Sequence, residues 1–83
     1  MQFLARVYVK LKPSVLDPQG QAVIHALHEM NHTEVHDVRI GKYIEVRLEA
    51  NQEADARANI KNYCEGLLAN TVIETYDFTI EAV

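Results

Sequence analysis

The amino-acid sequence predicts an α+β fold in which two helices cover one face of an antiparallel β-sheet. Apolar and polar residues alternate near both ends and in the middle of the chain, as in strands that bury one face. Between these stretches, apolar residues recur at the spacing of a helix that buries one side. A chain of 83 residues has room for one domain, which we assign to residues 1–83.

The first strand and the first helix are clearly marked in the sequence. The alternating apolar residues of the strand are Phe3, Ala5, Val7, Val9 and Leu11. Asp17 followed by Pro18 predicts a helix start, since a carboxylate caps free N–H groups and proline suits the first helical position. The apolar stripe of this helix consists of Ala22, Val23, Ala26, Leu27 and Met30, and Asn31 and His32 end it.

Residues 35–49 contain two alternating apolar runs, one on each side of Gly41. We interpret them as two strands joined by a turn at Gly41-Lys42-Tyr43, or by a bulge there, which keeps both apolar sets on one side. A shorter, two-residue turn would place Ile44 on the wrong face of the sheet, because side chains alternate between faces. One long strand kinked at Gly41 is the alternative.

A second helix and a last strand complete the pattern. Asn51 predicts the helix cap. The buried stripe of this helix is predicted to contain Ala56, Ile60, Tyr63, Cys64 and Leu67. Gly66 costs the helix about 1 kcal/mol relative to alanine, which suggests that a close neighbour requires its small size. Tyr76, Phe78 and Ile80 then alternate as a strand. The resulting order, β-α-β-β-α-β, is the ferredoxin-like pattern.

The charge balance and the single cysteine exclude several classes of protein. Eight basic against 12 acidic residues give a net charge of −4, which argues against binding to nucleic acid or to an anionic membrane. Cys64 is the one cysteine, so no internal disulfide forms. No apolar run approaches the roughly 20 residues that span a bilayer. We therefore expect a cytoplasmic protein.

No motif in the sequence predicts catalysis by this chain. Cys64 lies on an apolar stripe without a neighbouring cation, and is interpreted as a core residue. His25, His28 and His32 follow helical spacing, which can bring two imidazoles onto one zinc ion. A third protein ligand and partners that orient the rings are not evident in the sequence. We favour a solvated helix face, and expect no catalytic, cofactor or metal site.

The sheet face opposite the helices is predicted to be a contact surface. The alternation places Leu4, Arg6, Tyr8 and Arg47 on it, and Tyr43 shares that face. Aromatic and arginine side chains suit a protein interface. We therefore expect self-association through this face, with an ordinary solvated face as the alternative.

Three segments resemble the PurS family, the small accessory subunit of phosphoribosylformylglycinamidine synthase. They are residues 12–20 (KPSVLDPQG), 35–43 (VHDVRIGKY) and 67–76 (LLANTVIETY), in the order and spacing of the family. The span from Ala50 to Asn62 is the least similar. The resemblance covers essentially the whole chain.

The resemblance implies a dimeric adaptor without an active site. PurS-like proteins assemble with a glutaminase subunit and a synthetase subunit, in a complex that uses ATP and Mg. The complex converts formylglycinamide ribonucleotide and glutamine to the formylglycinamidine in purine biosynthesis, and the resemblance implies that the small subunit aids ammonia transfer. The alternative is a ferredoxin-like regulatory domain that binds a small molecule.

The segment with Arg39, Gly41, Lys42 and Tyr43 is the predicted contact with the other subunits. Two cations beside a glycine, within the most recognisable motif of the family, suit docking on an acidic surface. The alternative is a solvated turn whose glycine permits the bend. If the contact exists, Arg39→Glu with Lys42→Glu should weaken binding of the synthetase subunit and leave the fold intact.

Overall fold

The computed structural model describes all 83 residues and confirms the α+β class, with an antiparallel sheet and two helices. The elements are β1 (Gln2–Leu11), α1 (Pro18–Glu29), β2 (Gly41–Glu49), α2 (Glu53–Tyr63), a π-helical turn (Cys64–Leu68) and β3 (Glu74–Ala82). The sheet has three strands in the order β2-β1-β3, so β1 is central and antiparallel to both neighbours. Neither helix is long and apolar enough to cross a membrane.

The hairpin predicted at Gly41 is wrong. Gly41 is the first residue of β2 and pairs with Lys10. A Cβ at Gly41 would collide with the carbonyl oxygen of Val9, so the glycine permits close approach to the adjacent strand. Residues 35–40 belong to no strand, and the observed order is β-α-β-α-β.

The ends of α1 agree with the sequence, whereas the start of α2 does not. The side chain of Asp17 accepts a hydrogen bond from the N–H of Gly20, and Asn31 follows the helix with a positive φ of 71°. The predicted cap at Asn51 is wrong. The N-cap of α2 is Gln52, which makes no side-chain capping bond.

The core lies between the central strand and α2. Its buried members are Ala5, Val7, Val9, Ile60, Cys64 and Ala69. The residues of the two outer strands that face the same side are half-buried: Ile44, Val46, Leu48, Tyr76, Phe78 and Ile80. Because α2 packs mainly against β1 and β3, the core side of β2 is the less covered part of the sheet.

The π-helical turn changes which side chains point inward at the end of α2. The N–H of Ala69 donates to the carbonyl oxygen of Cys64, five residues earlier, at 2.9 Å. The predicted burial of Leu67 is therefore wrong, and Leu67 is 84% exposed. The predicted burial of Tyr63, which precedes the turn, is also wrong, because Tyr63 is exposed. Nothing lies within 4 Å of a Cβ built on Gly66, so no neighbour requires that glycine.

Residues 12–40, called the arm here, extend beyond the sheet. The molecule measures 52 × 27 × 14 Å, and its radius of gyration of 16.4 Å exceeds the roughly 12 Å of a compact domain of this length. β1 accounts for about 33 Å of that length. The twelve residues of α1 span about 18 Å more, which matches the remainder.

Candidate functional site

The base of the arm is fixed by a buried carboxylate. Asp17 is 3% exposed, and both of its oxygens are used. Oδ1 accepts from the N–H of Gly20 at 2.9 Å, and Oδ2 accepts from the N–H of Ile40 at 2.6 Å. The same side chain therefore caps α1 and ties its start to the residue that precedes β2.

Arg39 reinforces this junction from the other side. Its Nη2 donates to the carbonyl oxygens of Lys12, at 2.9 Å, and Val15, at 2.7 Å. We call Asp17, Gly20, Arg39 and Ile40 the latch, because together they hold both ends of the arm. Charged donors to backbone carbonyls contribute about 1.5–3 kcal/mol each, less where water reaches them. The expectation that Arg39→Glu leaves the fold intact is therefore withdrawn, and contact of Arg39 with a partner stays a prediction.

The four residues predicted to contact other subunits do not form one surface. Lys42 lies on the core side of the sheet edge, where its Nζ is 3.8 Å from Glu74 Oε2. Tyr43 lies on the opposite face, because successive side chains of a strand alternate. Arg39 is engaged in the latch, and Gly41 contacts the backbone of β1.

A broad depression of about 390 Å³ lies beside the latch. Its charged lining residues are Lys10, Asp17, Lys42 and Glu74. Lys42 is paired with Glu74, and both oxygens of Asp17 accept backbone hydrogen bonds. Three of these four charges therefore serve contacts within the chain, and Lys10 is exposed.

The predicted self-association residues do share the open face of the sheet. Tyr8 of β1 is directly opposite Tyr43 of β2, and their ring centroids are 5.3 Å apart. Leu4 is likewise opposite Arg47. The two tyrosines are 49% and 52% exposed. The alternation of the sequence placed these side chains correctly, while their role in self-association stays a prediction.

The polar groups of Arg6 and Tyr43 on this face are each bonded to a neighbouring carboxylate. Arg6 Nη1 lies 2.9 Å from Glu81 Oε1, and this hydrogen-bonded pair raises the pKa of the guanidinium. The hydroxyl of Tyr43 donates to Glu45 at 2.8 Å, which raises the pKa of the phenol. Arg6 is thus paired within the chain, and the aromatic pair is the apolar centre of the face.

The surroundings of Cys64 and the histidines do not form a reactive thiolate or a metal site. Burial, followed by the charge of Glu65, raises the pKa of the Cys64 thiol and disfavours the reactive thiolate. His28 Nε2 lies 2.8 Å from the carbonyl oxygen of Val35, and His32 Nδ1 lies 3.6 Å from Glu34. No three side chains of metal-ligating type are grouped closely enough to hold an ion.

One interaction was missed by the sequence reasoning. The hydroxyl of Tyr76 donates to Glu65 Oε2 at 2.6 Å, which raises the pKa of Tyr76 to about 12. This bond ties β3 to the π-helical turn. Lys61 lies four residues before Glu65, and this spacing in a helix favours an ion pair between them. Only the three-dimensional structure therefore reveals that Tyr76 is the partner of Glu65.

Asp17 makes the stability of the fold depend on pH. Hydrogen bonds from the N–H groups of Ile40 and Gly20 hold the pKa of its carboxyl below the ordinary value of 3.8. Because the folded-state pKa is the lower one, this stabilisation is present above the unfolded-state pKa of about 4 and is lost as the pH falls through the folded-state value. Asp17→Asn, whose amide nitrogen faces an N–H donor, should be less stable at pH 7 and lose less stability on acidification.

Urea unfolding of the Asp17→Asn variant between pH 7 and pH 2.5 measures this effect. Asp37→Asn is the matched control, because Asp37 is an exposed carboxylate of the same arm. A pH dependence in Asp17→Asn equal to that of the parent would show that the Asp17 carboxylate does not hold the latch.

The networks described here fix conformation: the latch holds the arm, and the aromatic pair and its charged neighbours order the open face. They define a small α+β protein with an ordered, partly apolar open face whose aromatic pair is exposed. Comparison with known proteins identifies the family. The sequence profile of the PurS family, described as phosphoribosylformylglycinamidine (FGAM) synthase, matches residues 4–82. The chain belongs to this family, whose members are FGAM synthase subunits of purine biosynthesis, and the predicted resemblance is confirmed.

Individual relatives agree with this assignment. The chain is 56% identical over 81 residues to the PurS subunit of FGAM synthase from Bacillus subtilis (strain 168), covering 98% of this chain and 95% of that protein. It is 54% identical over 78 residues to the PurS subunit from Synechocystis, covering 94% of this chain and 78% of that protein. Nothing in the comparisons supports the alternative of a small-molecule regulatory domain.

Solved structures share the fold. The B. subtilis PurS structure superimposes with a TM-score of 0.85 at 54% identity, covering 96% of this chain and 99% of that one. A chain in the structure of PurLQS from Thermotoga maritima gives a TM-score of 0.89 at 31% identity, covering 98% and 99%. These family members therefore share the fold of this chain over nearly its full length, including the arm.

Proposed function

We propose that this chain is the non-catalytic assembly subunit of FGAM synthase, which holds the glutaminase and synthetase subunits together so that ammonia passes between them. Its shape is the observation that carries the proposal. A chain 52 Å long presents the open sheet face and the arm as two separate surfaces, while the core uses the other side of the sheet. A bridging subunit needs two such surfaces.

The chemistry of the reaction belongs to the other subunits in this proposal. Hydrolysis of glutamine by a cysteine requires an accessible thiolate, whereas the Cys64 thiol is buried and its pKa is raised. ATP and Mg are used by the complex, and this chain binds neither. The polar groups of the latch are already paired with backbone groups, which suits a structural role.

The proposal includes a homodimer or a higher oligomer in the cytoplasm. A domain of this size has a modest core, and the exposed arm adds surface that association would bury. The free thiol of Cys64 is compatible with a reducing compartment. Lys42 and Tyr43 remain proposed contacts with the other subunits. Lys42 is the cleaner probe of the two cations, because Arg39 holds the latch.

Activity of the reconstituted synthase tests the bridging role. Omission of this chain should abolish FGAM formation with glutamine as the nitrogen donor, because ammonia is then lost to solvent. Activity with a high concentration of an ammonium salt should persist, since the synthetase subunit needs no bridge for free ammonia. Full glutamine-dependent turnover without this chain would contradict the proposal, as would equal loss of both activities.

A further inference from the structure

The outer edge of β3 carries backbone groups that face no other strand, because β3 pairs with β1 alone. The N–H of Lys12 donates to the carbonyl oxygen of Ile73, and the N–H of Val83 donates to that of Gln2, at the two ends of this pairing. Bonded pairs in an antiparallel ladder recur at every second residue. The odd-numbered residues of β3 therefore bond to β1, and the backbone groups of the even-numbered residues point outward. The outward residues are Glu74, Tyr76, Phe78, Ile80 and Ala82.

Two of the outward N–H groups are satisfied within the chain. The N–H of Glu74 donates to the carbonyl oxygen of Asn70 at 2.7 Å. The N–H of Phe78 donates to Asp77 Oδ1 at 2.8 Å, so a carboxylate shields the middle of the edge. The other outward groups, on both sides of Phe78, have no strand beside them. An open edge of this kind is a template for a further strand.

The core side of the sheet is already covered next to this edge. α2 packs on β1 and β3, whereas the core side of β2 is less covered. Phe78 and Ile80 are half-buried against the core, and the hydroxyl of Tyr76 is bonded to Glu65 at the end of α2. A strand added beside β3 would therefore continue a sheet that has a helix over its apolar side.

The charges of β3 define the chemistry of a partner. The strand contains three carboxylates and no basic residue: Glu74, Asp77 and Glu81. Glu81 is paired with Arg6, and Glu74 with Lys42. Asp77 forms no ion pair and accepts the N–H of the residue that follows it. A lysine or arginine on a neighbouring strand would supply the missing cation, since opposite charges on adjacent strands attract.

We propose that an extended segment of a catalytic subunit adds to the outer edge of β3 and places a lysine or arginine beside Asp77. The Asp77 carboxylate then turns to the cation and frees the N–H of Phe78 for the new strand. Backbone bonds supply affinity, and the cation supplies specificity, because a segment without it leaves Asp77 on the edge. The stretch from Tyr76 to Ala82 spans about 20 Å, which fits a segment of about six residues.

The inference rests on the proposed bridging function and names the kind of contact through which a catalytic subunit is held. It uses backbone groups at the side of the sheet. The open face with Tyr8 and Tyr43 and the arm stay available for other contacts.

Hydrogen exchange of this chain, alone and in the complex reconstituted with the glutaminase and synthetase subunits, tests the strand addition. In the chain alone the amides of Tyr76 and Ile80 should exchange rapidly, and in the complex at least about 100-fold more slowly. Thr79, whose N–H faces β1, should be protected in both states. A complex that forms without slowing Tyr76 and Ile80 would overturn the inference and leave the bridging role standing. Failure of any complex to form would overturn both.

N-methylation of one backbone nitrogen, that of Ile80, separates strand addition from contacts made by side chains. Because Cys64 is the one cysteine, a synthetic segment 64–83 can be ligated to residues 1–63 to give the full chain with every side chain unchanged. The methyl group points away from β1, so the urea midpoint should not change. Binding to the catalytic subunits should weaken at least about tenfold, the effect of one lost hydrogen bond in a protein interface.

N-methylation of Thr71 is the matched control, because Thr71 is exposed and lies outside β3. It should leave binding unchanged. Undiminished binding after methylation at Ile80, or equal weakening at both positions, would contradict strand addition.

Asp77→Lys tests the charge of the partner. The variant should bind the catalytic subunits at least about tenfold more weakly, because like charges then lie on adjacent strands. Asp55→Lys, at an exposed carboxylate of α2, is the control and should bind as the parent does. Parental binding by Asp77→Lys would overturn the assignment of a basic segment to this edge.

Discussion

Gly20→Ala is expected to lower the free energy of unfolding by about 2–3 kcal/mol. A Cβ at this position would collide with the carbonyl oxygen of Val38 and would lie 3.1 Å from Asp17 Oδ2. The clash is with backbone, which cannot rotate away as a flexible side chain can. Relief requires separation of α1 from residues 35–40, which also stretches the bond from Ile40 to Asp17.

Gly66→Ala is the matched control and should have the opposite sign. Nothing lies within 4 Å of the added Cβ, and no glycine of the chain has a positive φ. The substitution should stabilise by about 0.4–1 kcal/mol because it reduces the conformational entropy of the unfolded chain. Urea unfolding at one fixed protein concentration measures both variants, since association shifts apparent stability. Equal effects at the two positions would show that α1 does not pack closely on Val38.

Ile60→Ala is expected to cost about 2–5 kcal/mol, a large part of the stability of a domain of this size. Its side chain is fully buried between α2 and the central strand, so truncation removes apolar contacts and leaves a cavity. Leu67→Ala is the control, because Leu67 lies about two helical turns beyond Ile60 on the stripe predicted from the sequence, yet is exposed. It should change stability by no more than about 0.5 kcal/mol.

The same unfolding measurement separates the π-helical turn from a regular helix. With α-helical spacing throughout, Leu67 would share the buried stripe with Ile60, and both truncations would be costly. Comparable losses in the two variants would therefore contradict the turn at Cys64–Leu68.

The sequence predicted those features of the fold that depend on residues close together in the chain. The cap at Asp17 depends on a carboxylate and the N–H of a residue three positions away, and the open face depends on alternation along a strand. The π-helical turn was not predictable in this way. It adds one residue to a helical turn and so shifts which later side chains face the core, but no particular residue type marks it in the sequence. Alternation also shows which side of a strand is buried, but not which strand lies beside it. Val38 and Ile40 were therefore assigned to a hairpin that the chain does not form.

The candidate site shows the same division. Tyr8 and Tyr43 were placed on one face from the sequence, because strand register follows from the alternation. The latch was not foreseen, since Arg39 reaches Lys12 across 27 positions and its partners are backbone carbonyls, which no residue type reveals. Contacts of this kind become visible only when the path of the chain is known.

Capture of the glutaminase subunit by immobilised synthetase subunit tests the bridging role most directly. With glutamine and ATP present, the glutaminase should be retained when this chain is added and should elute when it is omitted. The retained complex should contain all three proteins. Equal retention of the glutaminase with and without this chain would show that the two catalytic subunits bind each other unaided, and would contradict the role proposed here.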